Sequence, residues 1–140
     1  VLRFRKRINA TQILLFTDIH VKHSVLLSKH SLGESALLAI KKGSDALVVT
    51  GKWTGEAPVA EDLEVVRRTV DDFPILAGSG ANENNIDKLM QYIDGVIVGT
   101  SLKTGKNNVK HVNIRGEEER IDKKKVIRFV KIFKEVTKRL

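Results

Sequence analysis

Cysteine is absent from this 140-residue chain. That excludes a disulfide framework and a thiolate zinc site. Aromatic residues make up only 5%, with one tryptophan and one tyrosine. They are not interleaved with the basic residues, so no platform for stacking nucleic-acid bases is visible. No apolar run approaches the roughly 20 residues that a bilayer-spanning helix needs. No cationic-then-apolar leader opens the sequence, and a cytoplasmic location is the default expectation. Acidic charge is in deficit, 17 Asp and Glu against 25 Lys and Arg, for a net charge of +8. The excess concentrates at the ends, in Arg3, Arg5, Lys6 and Arg7 and again from Lys123 to Arg139. A nucleic-acid contact there would weaken steeply with salt. A solvated lysine-rich face is the plainer reading.

What is present is the balance of a globular protein: 41% apolar and 30% charged residues. Such a length and composition suit a single domain over 1–140 with a real core. The chain opens on Val1 rather than methionine, which suggests a segment of something longer.

Four short, nearly continuous apolar runs predict strands: Ile13 to Phe16, Ala46 to Val49, Ile75 to Ala77, and Val96 to Val98. Continuous apolar strands are typical of a parallel sheet covered on both faces. Between them, stripes of 3.6-residue period predict helices over Ser31 to Lys42, Val59 to Val70 and Asn82 to Tyr92. A last helix runs from Lys123 to Leu140 behind an Asp122 N-cap. Residues 1–9 read as the tail of an earlier helix. Strict alternation of strand and helix argues for parallel β/α units, an α/β fold. Four units are half of an eightfold barrel. An isolated half would expose two strand edges. It is therefore expected to dimerise or aggregate unless the missing half is present, which analytical ultracentrifugation would test.

In parallel β/α folds the chemistry sits just beyond the carboxyl ends of the strands. After the third run come Gly78, Ser79 and Gly80, and after the fourth Gly99, Thr100 and Ser101. Glycine lets the backbone turn tightly and lets amides approach an anion. Paired glycine turns on the last two strands are the usual phosphate grip of such a barrel, so these six are the candidate phosphate-binding residues. After the first run come Asp18, His20 and Lys22. Alternation along a strand puts the three on one side, where a carboxylate, an imidazole and an ammonium would shift one another's protonation. They are the candidate catalytic residues. Lys52 and Lys103, on two other rim loops, are candidates to balance phosphate charge or to act as an amine. Asp45 and Asp94 precede strands at the opposite end and are assigned to stability. No metal site is expected: Asp18 and His20 could supply two ligands, and no further cluster is evident. No cofactor is assigned.

The stretches "TDIHVKHS" (17–24), "DALVVTGKWTGEAP" (45–58), "PILAGSGANENNI" (74–86) and "DGVIVGTSLK" (94–103) resemble, in order and spacing, the BtpA family. "IDKKKVIRFV" is similar to the family's closing helix. The resemblance implies the C-terminal half, strands five to eight, of a ribulose-phosphate-binding-type TIM barrel. It leaves two functions open. One is binding of a phosphorylated small molecule, with a lyase, isomerase or phosphohydrolase step. The other is a non-enzymatic assembly or stability role of the photosystem-biogenesis kind, acting through protein contacts. Residues 104–120 depart from the family's usual link into the last helix.

Overall fold

In the computed structural model, residues 1–21, 25, 27, 29–51, 55–104 and 120–139 are described. Four strands form one parallel sheet in chain order: β1 (Phe16–Ile19), β2 (Ala46–Val49), β3 (Ile75–Ala77) and β4 (Gly95–Val96). A short helix α1 (Leu2–Arg7) precedes β1. Helices α2 (Leu32–Lys41), α3 (Ala60–Val70) and α4 (Ile86–Leu89) connect the strands, and α5 (Lys123–Thr137) follows. Among the described residues no helix is long and apolar enough to cross a membrane.

Consecutive strand order with right-handed crossovers puts every connecting helix on the same face of the sheet. The core agrees with that geometry. The row Ile19, Val49, Ala77 and Val96 and the row Leu47 and Ile75 face the helices. They pack against Ala36 of α2, Leu63 and Val66 of α3, Ile86 of α4 and Phe129 and Val136 of α5. The other face carries Phe16, Asp18, Ala46, Val48, Leu76 and Gly95 by register. None of these six belongs to the helix-packed core; Phe16 remains 53% exposed, while Ala46 and Val48 are buried.

Three boundaries differ from the sequence reading. The first strand begins at Phe16 instead of ending there. Ile13 and Leu14 lie below the sheet, exposed, because the Ile13 carbonyl is taken by Arg5 (2.6 Å) and the Leu15 N–H by Asp45 (2.7 Å). Ladder pairing starts only where Phe16 meets Ala46. The fourth strand is Gly95–Val96 rather than Val96 to Val98, although the Ile97 N–H still reaches the Ala77 carbonyl at 2.9 Å. The third connecting helix shrinks from 82–92 to four residues. Its asparagines use their side chains on the backbone: Asn85 Oδ1 accepts from Asn82 N–H (2.8 Å) and Asn82 Oδ1 from Asn84 N–H (2.9 Å). Such local bonds compete with a helical first turn. The last helix matches to Thr137, with Asp122 Oδ1 accepting from the amides of Lys124 and Lys125 as the expected cap. Leu140 lies outside the described residues.

At the amino end of the sheet the same device occurs twice. Asp45 precedes β2, accepts the Leu15 N–H and pairs with Arg5 of α1 at 3.0 Å. The Leu15 amide, and after it Arg5, hold this carboxyl below the usual carboxylate range. Asp94 precedes β4, accepts the Ile75 N–H (2.8 Å) and pairs with Arg67 of α3 at 2.6 Å. Each aspartate locks the start of one strand to the start of the next. Both lie at the end of the sheet opposite the rim, where the sequence places them.

Candidate functional site

Parallel strands end on one rim, so the turns that follow them gather there. The β3 turn is built for close approach. The Gly78 N–H donates to the Val49 carbonyl at 2.8 Å, extending the ladder. A Cβ at Gly78 would lie 2.5 Å from Val48 Cγ1. The Ser79 hydroxyl is buried, donating to the Glu56 carbonyl (2.7 Å) and accepting from the Gly51 N–H (3.3 Å). Gly80 has φ +66, and a Cβ there would overlap the backbone at Ala57 N and the Glu56 carbonyl carbon. Its carbonyl accepts from Asn82 Nδ2 (3.1 Å) and Asn85 Nδ2 (3.0 Å). This turn is thereby fastened both to the loop after β2 and to the start of α4.

The β4 turn lies beside it. Ser101 Oγ donates to the Ala81 carbonyl at 2.8 Å, joining the two corners. Thr100–Leu102 form one 3₁₀ turn. Among the described residues, the N–H groups of Gly80, Gly99, Thr100 and Ser101 donate to no acceptor. The two corners share a cleft of about 400 Å³. Of the six candidate phosphate residues, Gly80, Gly99, Thr100 and Ser101 line it. Gly78 and Ser79 stand behind the lining and fix its shape.

Sequence reading missed the cations of this cleft. Lys125 and Arg128, in the first two turns of α5, line it together with Phe129, Asn82, Glu83 and Asn84. Lys125 Nζ donates to the Lys103 carbonyl at 2.5 Å, and Arg128 pairs with Glu83. A usable signal was in the chain. The Asp122 cap marks where α5 begins, and helices of β/α units begin at the rim where strands end. Lys103 itself does not line the cleft; its backbone bridges to Ile121.

The first strand's candidates diverge. Asp18 stands on the face opposite the helices beside Val48, its register partner, and is exposed. The strand ends at Ile19, and His20 has φ +54. Alternation stops there, and His20 Nε2 lies 3.0 Å from Ser35 Oγ on α2. Neither residue lines the cleft. Lys22, Lys52, His23 and Trp53 lie outside the described residues. Among the described residues no group of three or more His, Asp or Glu side chains could hold a metal ion.

The fold has a solved counterpart. The structure of N-(5'-phosphoribosyl)anthranilate isomerase from Pyrococcus furiosus superposes with TM-score 0.56 at 14% identity, over 96% of this chain and 56% of that one. The α/β architecture is accordingly TIM-barrel-like. Among curated proteins, photosystem I biogenesis protein BtpA of Synechocystis sp. is 34% identical over 136 residues, 96% of this chain and 44% of that protein. An uncharacterised protein of Archaeoglobus fulgidus is 39% identical over 105 residues, 75% of this chain and 41% of its own length. The chain thus spans about two fifths of the length of these relatives. The sequence profile of the BtpA family matches residues 1–135, and the chain belongs to the BtpA family.

Proposed function

We propose that this chain is the phosphate-gripping half of a TIM barrel, strands five to eight, and that it binds a phosphorylated small molecule at the rim. One observation carries the reading: two glycine corners from adjacent strands line a single cleft together with Lys125 and Arg128. Amides without internal partners and a charged donor pair are what a phosphoryl group requires. Gly99, Thr100 and Ser101 would supply the amides, Gly80 the room, and Gly78 and Ser79 the fixed backbone behind it. Asp18, exposed on the face opposite the helices, would point to the centre of a completed barrel and take the reacting end, with His20 and Lys22 next along the chain. Lys52 and Lys103 remain candidates for charge balance. The face opposite the helices and the two sheet edges call for four further strands, from a missing N-terminal half or from a second copy.

The test is titration of the isotope-labelled chain with inorganic phosphate and sugar phosphates, followed by NMR. Saturable shifts confined to Gly80 and residues 99–101 are expected at millimolar ligand. Lys125→Ala should weaken binding about tenfold, the worth of one charge-assisted hydrogen bond. No phosphate-dependent shift in these amides would refute the reading.

A second reading, an assembly or stability factor acting through protein contacts, is favoured by the Synechocystis relative named for photosystem I biogenesis. Asp18→Asn and His20→Ala separate the two. Both substitutions should abolish turnover in an enzyme and leave an assembly role largely intact when each variant is assayed for complementation of a BtpA-deficient strain.

A further inference from the structure

Three charged side chains among the described residues line the cleft: Lys125, Arg128 and Glu83. Two cations suit an anion site; a carboxylate does not. Glu83 is also the less exposed member of its ion pair, at 18% against 72% for Arg128. The carboxylate therefore sits inward and the guanidinium reaches over from α5 to meet it. Lys125 is drawn aside by the Lys103 carbonyl. The cleft consequently offers a surplus of one positive charge plus the dipoles of its amides. That matches one phosphoryl group, which carries about −1.5 to −2 at neutral pH. A second anionic group on the same ligand would meet Glu83 within the walls of a 400 Å³ cleft. A like-charge contact at close range in a partly buried site disfavours binding by about tenfold. An ionised carboxylate is an acceptor only, so the groups it welcomes are hydroxyls.

The geometry points to Glu83 as the residue that makes the cleft selective for phosphate monoesters with a neutral, hydroxyl-bearing remainder, against ligands carrying a second anionic group. This rests on the phosphate-binding reading above and extends it to ligand class. The acidic residue disfavours phosphorylated acids and bisphosphates by about tenfold, while Arg128 holds it in place.

A matched pair of probes tests this on the 140-residue chain. Glycerol 3-phosphate and 3-phosphoglycerate share a skeleton and differ in a CH₂OH against a carboxylate. The wild-type chain should bind the first about tenfold tighter by calorimetry. Glu83→Gln keeps the size and a hydrogen-bond acceptor for Arg128 but removes the charge. It should bring the two affinities within about threefold, mainly by tightening 3-phosphoglycerate. A purely structural Glu83–Arg128 tie would move the urea midpoint and leave the ratio alone. Equal wild-type affinities, or a ratio unchanged by Glu83→Gln, overturn the selectivity assignment and leave phosphate binding standing. If neither probe nor inorganic phosphate binds, the phosphate reading fails and this inference fails with it.

Discussion

Gly80→Ala is expected to cost about 3 kcal/mol or more of folding stability, read as a lower urea midpoint at unchanged slope. Two effects act together. The backbone at φ +66 disfavours any residue with a Cβ, and the added methyl overlaps main-chain atoms of Glu56 and Ala57. Main chain cannot rotate away as a side chain does, so the loop after β2 must move. Because Ser79 fastens that same loop through the Glu56 carbonyl, the displacement spreads to the cleft. Phosphate-dependent shifts at residues 99–101 should be lost as well. Gly99→Ala is the control. A Cβ there meets nothing within 4 Å, so stability should change by no more than about 0.5 kcal/mol. A Gly80→Ala chain as stable as wild type would mean that the corner is malleable and its glycine has no steric role.

The second large effect is expected at the opposite end of the sheet. Asp94→Ala removes the acceptor for the Ile75 N–H, whose residue is fully buried. It also removes the anion that Arg67 holds while donating to the carbonyls of Tyr92 (2.9 Å) and Phe73 (3.2 Å). The Asp94 side chain is 51% exposed, so its Coulombic attraction to Arg67 is worth no more than about 1 kcal/mol. The stranded amide dominates, at about 1–3 kcal/mol. Asp94→Asn keeps an oxygen for that amide and should recover most of the loss in the same urea titration. If alanine and asparagine prove equally damaging, charge rather than the amide bond is what matters there. Asp45→Ala should be milder than Asp94→Ala, because Leu15 is only half-buried where Ile75 is sealed.

These two sites show how legible the chain was. Strands β2 and β3 were read to the residue because they are central: both edges are paired and each is wholly apolar or nearly so. β1 was displaced by three residues because it is an edge strand. Hydrophobicity marks Ile13 and Leu14, but pairing decides where the ladder begins, and Asp45 sets that point from 30 residues away. The helix over 82–92 was overestimated because period alone ignores what Asn82 and Asn85 do with their amides. In the candidate site, the glycine corners were legible since their spacing after each strand is local information. Lys125, Arg128 and Glu83 were hidden among many charged residues, and only the packing of α5 beside the β3 corner selects them.

By itself the sequence determined the parallel β/α order, the two glycine corners and the Asp122 cap that begins α5. All of these depend on neighbours within a few residues or on a repeating pattern. The tertiary structure alone decided that the corners touch, that Asp18 and His20 part company, and that one carboxylate enters a cationic cleft. Those facts depend on which distant segments the closing sheet brings together, and no local pattern encodes them.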